Sequence, residues 1–172
     1  MGKETLSNSD IRELMRKVYR IAMHSTDRST HNGALLVDED RNATRPLVVG
    51  YNAHRPGWGH KEEHHKRPLK YSVTEHAERD VIYRVACHGI CTRRLTMIAN
   101  WVACPDCARG VVLSGIRRII CHKQCMDRTP PRWKEMVDLG LEMCEKSKVA
   151  VVQWDGKVGD VTNLNNGELW QP

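Results

Sequence analysis

The sequence predicts a layered α/β domain, a mixed five-stranded sheet with helices on both faces. Three observations predict it. After an amphipathic first helix and two successive strand-like runs, helical and strand-like segments alternate as far as residue 154. Glycine or proline stands at most of the joins. The length, 172 residues, suits one compact domain. That domain is expected to span 1–172, with a core over about 10–154 and an irregular tail over 155–172.

Ser9 reads as the N-cap of the first helix, because Ile11, Leu14, Met15, Val18, Ile21 and Ala22 follow at helical spacing. The apolar run Gly33–Val37 reads as a strand, Asp38–Asn42 as a turn, and Pro46–Tyr51 as a second strand pairing with the first. Residues 53–70 are rich in His, Lys and Arg around Pro56, Gly57 and Gly59, which marks a long polar loop of functional character. A helix is expected from Glu75 to Cys87, stopping before Gly89, and a strand over Leu95–Trp101. Pro105 opens a helix that Gly115 ends, and Ile116–Cys121 is strand-like. Pro131 opens a last helix ending near Gly140, and Val149–Trp154 is the fifth strand.

Lys and Arg total 27 against 21 Asp and Glu, a net charge of +6. Such a balance suits an anionic ligand, although the basic residues are scattered and equally suit a solvated surface. Hydrophobic residues at 40% and charged ones at 28% exclude a disordered chain. No run of about 18 apolar residues is present, so no membrane span is expected. Seven cysteines cannot all pair within one chain, and the charged N-terminus lacks the apolar run of a signal peptide. A cytoplasmic protein with reduced thiols is expected, its Cys and His serving metal binding or catalysis.

Two segments carry the chemistry: Thr74-Glu75-His76-Ala77-Glu78 and Ala103-Cys104-Pro105-Asp106-Cys107. Each opens a helix. Cys104 and Cys107, three apart, present two sulfurs on one helical face, and a helix start stabilises thiolates. With the imidazole of His76 they make three ligands for Zn²⁺, the catalytic pattern in which a fourth position stays open. Two thiolates cancel the metal's charge, so a carboxylate is needed to take a proton from water. Glu78 stands two residues from His76.

His-x-Glu followed by Pro-Cys-x-x-Cys is the zinc-deaminase signature, and the chain resembles the cytidine/deoxycytidylate deaminase superfamily, most closely its dCMP deaminase-like branch. The resemblance is carried by Ser29-Thr30 before Gly33-Ala34, Gly50-Tyr51-Asn52, His76-Ala77-Glu78-Arg79, Cys104-Pro105-Asp106-Cys107-Ala108-Arg109 and Ser114-Gly115-Ile116-Arg117-Arg118. Ala103 departs from the pattern, since proline usually precedes the first cysteine. The resemblance implies a three-layer α/β/α cytidine deaminase-like fold. It implies hydrolysis of a cytosine nucleotide, dCMP or a 5-substituted dCMP, to the uracil analogue and ammonia. Glu78 is then the catalytic proton carrier and His76, Cys104 and Cys107 the zinc ligands. The Ala77 N–H would hold the base, and Asn52 would touch the sugar or base edge.

Trp101 suits either the base pocket or the core. Arg28, Arg55, Lys66 and Lys70 are candidate phosphate contacts. A second, structural zinc is the further cofactor expectation, drawn from His54, His60, His64 and His65, Cys87-His88 with Cys91, or Cys121-His122 with Cys125. A homo-oligomer, dimer or hexamer, is implied by the resemblance. The alternative substrate class is a base within nucleic acid, tRNA adenosine or single-stranded DNA cytosine. Basic residues form no continuous stripe with interleaved aromatics, so a small-molecule nucleotide is the expected partner.

Overall fold

The computed structural model describes residues 6–41, 44–54 and 61–172. Its centre is a five-stranded sheet ordered β2-β1-β5-β6-β7, built from β1 (Gly33–Val37), β2 (Val48–Tyr51), β5 (Thr96–Ala99), β6 (Arg118–His122) and β7 (Ala150–Trp154). β1 is antiparallel to both neighbours, whereas β5, β6 and β7 run parallel. Every residue of β1 and β5 is buried. These strands are unbroken apolar runs because both faces of the sheet are covered.

Two close approaches show how the faces are covered. A Cβ at Gly33 would lie 2.3 Å from the carbonyl oxygen of Val18, in helix α1 (Asn8–Ala22). A Cβ at Gly50, which pairs with the next residue of β1, would lie 2.8 Å from Asp80 and Val81 in α3 (Ala77–Cys87). Successive strand residues point to opposite faces, so α1 and α3 cover opposite sides. Alongside α3 pack α4 (Pro105–Leu113) and α6 (Pro131–Lys146), which completes the three layers.

Several expected boundaries move, each for a local reason. The cap of α1 is Ser7 and not Ser9: Ser7 Oγ accepts from Asp10 N–H at 3.2 Å, and Asp10 accepts from Ser7 N–H at 3.0 Å. This reciprocal capping box satisfies two orphan donors at once. The last helix does not end near Gly140 but continues six residues further, to Lys146. Gly140 is there for packing, because a Cβ would stand 2.0 Å from the carbonyl oxygen of Ala103.

The polar stretch after β2 carries regular structure among its described residues. It holds β3 (Ala53–His54), a 3-10 turn (Glu62–His65), α2 (Leu69–Val73) and β4 (Thr74–Glu75), with β3 and β4 paired. A short α5 (Lys123–Met126) follows β6.

The tail is irregular over 155–162 but not beyond. It forms a hairpin, β8 (Asn163–Asn165) with β9 (Glu168–Trp170), around Asn166-Gly167 at φ 53° and 88°. Two left-handed residues make a turn whose twist matches paired strands. Trp170 stacks on His122 with ring centroids 6.0 Å apart. His122 Nε2 donates to Gly156 O at 2.9 Å, so its Nδ1 accepts from the Tyr19 hydroxyl at 2.7 Å. Burial keeps this imidazole neutral by lowering its pKa.

Candidate active site

His76 is the N-cap of α3 and Cys104 the N-cap of α4, so two helix N-termini converge on one point. Cys107 sits one turn into α4 and is fully buried. His76 Nδ1 lies 3.5 Å from both sulfurs, and among the described residues this is the one trio of potential ligands within 4.8 Å of one another. A tetrahedral zinc with Zn–N near 2.0–2.1 Å and Zn–S near 2.3 Å separates N from S by about 3.6 Å. The donor set therefore fits such an ion. The two thiols share a proton unequally. Hydrogen bonds from Cys107 and His76 hold Cys104 down to about 3, while the bond to Cys104 and burial push Cys107 up.

Glu78 is 2% exposed, and its Oε1 is buried with no hydrogen-bond partner. Burial raises its pKa. A buried, unsatisfied carboxylate oxygen is costly unless something binds it. Arg79 is anchored by Glu75 at 2.6 Å and reaches Cys107 Sγ at 3.9 Å, which places a cation against the sulfur cluster.

An open cleft of about 670 Å³, solvent at its mouth included, reaches His76. Trp101 belongs to both of its expected settings: it packs in the core, lines the cleft, and is fixed by an Nε1 hydrogen bond to Thr129 at 2.8 Å. Asn52 also lines the cleft, but its Oδ1 accepts from Asn32 N–H at 2.7 Å and its Nδ2 donates to Thr30 O at 2.8 Å. It braces the turn that forms one wall. Ala77 is buried at the first position of α3, outside the cleft lining.

Arg28 does not line the cleft, and its guanidinium pairs with Glu62 at 2.8 Å on the exposed surface. Lys66 is exposed and also outside the lining, and Arg55 lies outside the described residues. Lys70 lines the cleft, yet it is held by Asp27 at 2.8 Å. Burial alone would push the Asp27 carboxyl up, but Lys70 and Ser29 outweigh it and hold it below the ordinary range.

The expected second zinc finds no such trio among the described residues. His122 has both ring nitrogens engaged, and Cys87 and Cys91 are exposed. The rings of His64 and His65 pack on His54 at 6.1 and 4.7 Å, while His60 lies outside the described residues.

Among the cleft residues that escaped the sequence reading are Tyr71, Arg132, Trp133 and Asn165. Trp133 lies 6.2 Å from His76, 6.0 Å from Trp101 and 5.2 Å from Tyr71 between ring centroids. Asn166-Gly167, a hairpin signal, could have located the strand carrying Asn165.

Residues 8–123, well over half the chain, match the family described as the cytidine and deoxycytidylate deaminase zinc-binding region. The chain belongs to this family. A relative from Aliivibrio fischeri, named "Uncharacterized deaminase in luxG 3'region", is 29% identical over 130 residues, 74% of this chain and 81% of its own. The deoxycytidylate deaminase of Enterobacteria phage T2 is 28% identical over 91 residues, 52% of this chain, so the deaminase spans about half the phage enzyme's length (47%).

The dCMP deaminase of cyanophage S-TIM5, solved with dCMP and dUMP, superposes with a TM-score of 0.63. The match is at 18% identity, over 84% of this chain and 97% of that one. At that identity the likeness establishes the fold, a cytidine deaminase-like α/β architecture. No helix among the described residues of this deaminase is long and apolar enough to cross a membrane.

Proposed function

We propose that this chain is a zinc-dependent hydrolase that deaminates the cytosine ring of dCMP, or of a 5-substituted dCMP, in pyrimidine nucleotide metabolism. The observation that carries this reading is the unsatisfied Glu78 oxygen, buried two residues from His76 in a site whose donors fit zinc. The phage relative named as a deoxycytidylate deaminase and the neighbour holding dCMP and dUMP support the choice of base.

His76, Cys104 and Cys107 would hold a zinc ion, whose Lewis acidity would make a water in the site a stronger acid. Glu78 accepts a proton from the water as the water oxygen adds to C4. It passes that proton to N3. It then moves the second proton, from the new C4 hydroxyl, to the amino nitrogen, which leaves as ammonia. The C4=O of the uracil ring remains, and atoms balance. Burial suits the task, since a carboxylate without competing partners is a better proton carrier. Trp101 and Trp133 give the ring apolar walls and limit water.

The same reading takes the chain as one cytosolic domain, consistent with seven unpaired cysteines, acting as a homo-oligomer. Metal analysis of the purified protein and ammonia release from deoxycytidine, dCMP, dCTP, 5-methyl-dCMP, tRNA and single-stranded DNA test it. One zinc per chain and fastest release from dCMP or 5-methyl-dCMP are expected. Release from tRNA or single-stranded DNA alone would move the site to nucleic acid, and a zinc-free protein would end the scheme.

A further inference from the structure

We infer that Arg132, held over the cleft by the C-terminal hairpin, is the residue that selects an anionic substrate, a phosphate monoester over the uncharged nucleoside. This rests on the deaminase reading above and adds the residue that sets its substrate preference.

Charge within the cleft points to this residue. Asp27 is the one carboxylate among the described residues lining it, and Lys70 already neutralises it at 2.8 Å. That leaves Arg67 and Arg132 without a carboxylate partner among the described residues. Arg67 lies over the Tyr71 ring at 6.0 Å. Arg132 donates from Nη2 to the Asn166 side-chain oxygen at 2.7 Å. A neutral amide orients the guanidinium without cancelling its charge, so its remaining donors stay available to an anion. Arg132 is also the second residue of α6, whose N-terminus carries no side-chain cap and adds positive potential on the same side.

Position agrees with charge. Trp133, the next residue, stands beside His76, and Arg132 lines the same cleft. The amide that orients Arg132 is itself fixed to the opposite wall. Asn166 N–H donates to Thr30 Oγ1 at 3.2 Å, Gly167 N–H to Ser29 O at 2.8 Å, and His31 N–H to Leu164 O at 2.8 Å. The family match ends at residue 123, before Arg132 and the hairpin that carries Asn166, although the residues that anchor the hairpin, Ser29, Thr30 and His31, lie within it. His76, Glu78, Cys104 and Cys107 lie within the matched region, and Arg132 and Asn166 lie beyond it.

The test compares kcat/KM for dCMP and deoxycytidine in the wild type, Arg132→Gln, Asn166→Ala and Arg28→Gln. Calorimetric titration with the products dUMP and deoxyuridine accompanies it. A charge-assisted bond to phosphate predicts that Arg132→Gln lowers kcat/KM for dCMP about 10- to 100-fold, mainly through KM. Deoxycytidine turnover should stay unchanged.

Asn166→Ala, which frees the guanidinium but keeps its charge, should cost dCMP alone, by a smaller factor. Arg28→Gln, which removes a cation outside the lining that Glu62 already pairs, should leave the ratio intact. Equal losses for both substrates would make Arg132 a structural wall residue and overturn the inference, as would an unchanged ratio. If the wild type deaminates neither compound, dCMP is not the substrate, and the titration still decides. Weaker dUMP binding by Arg132→Gln with unchanged deoxyuridine binding upholds anion selection, and any other pattern overturns it.

Discussion

Replacing Gly140 with alanine sets helix propensity against packing. By propensity alone the change stabilises a helix interior by about 0.5–1 kcal/mol. Packing opposes it, because the new Cβ would stand 2.0 Å from the Ala103 carbonyl oxygen and 3.2 Å from the Cys104 carbonyl carbon. Both are backbone atoms and cannot swing aside. Restoring ordinary contact needs a shift of more than about 1 Å between α6 and the segment carrying Cys104.

Overpacking of this kind costs about 1–3 kcal/mol, and occasionally more. A backbone clash belongs at the top of that range, leaving a net loss of about 2–3 kcal/mol. For a chain of this length that lowers the melting temperature by roughly 4–12 °C. The displaced backbone carries Cys104, one of the three donors proposed to hold zinc, so metal retention should fall with stability. Thermal melting and zinc content of Gly140→Ala, measured beside the wild type, check both. A melting temperature that is unchanged or raised would show that α6 does not press on the metal segment.

Glu78→Gln should keep its zinc and lose turnover by about 10²–10⁴-fold, read from metal analysis and ammonia release. Cys104→Ser should lose metal, and chelation of the wild type should abolish turnover until zinc is restored. Asp27→Asn leaves the half-buried Lys70 without its carboxylate partner, and at neutral pH should lower stability by about 1–3 kcal/mol. The Asp27 carboxyl lies below its unfolded value of about 3.9, so its contribution is complete above that value and is lost as pH falls through the folded one. Melting curves should therefore show a constant gap between wild type and variant from pH 8 to 5 that closes only below about 4. A gap that closes as pH rises would contradict the assignment.

The grouping of His76, Cys104 and Cys107 was legible because their chemistry is local. Cys104 and Cys107 share one helical turn, and His76 and Glu78 are two residues apart, so spacing alone states the geometry. The alternating order of helices and strands likewise gave the layers. What escaped depends on contacts far apart in sequence. Gly140 reads as a helix stop, and only the approach of Ala103 explains it as an interior residue. Ser7 and Ser9 are equivalent caps until the reciprocal bond to Asp10 decides. Arg28 carries the right charge, but Glu62, thirty-four residues on, claims it. Trp133 and Asn165 come from elements with no shared motif, and only folding makes them neighbours of His76 in one cleft.

The chain has five tryptophans and no phenylalanine. Trp101 and Trp133 meet edge to face at 6.0 Å in the cleft, whereas Trp154 and Trp170 pack around His122, at 5.5 and 6.0 Å. Trp58 lies outside the described residues. Indole emission shifts with the polarity around the ring, so a ligand displacing water from the cleft alters the signal of the first pair and leaves the second as an internal constant. Replacing Trp101 or Trp133 singly would then assign the change to one side of the cleft, giving an optical titration that needs neither turnover nor an attached dye.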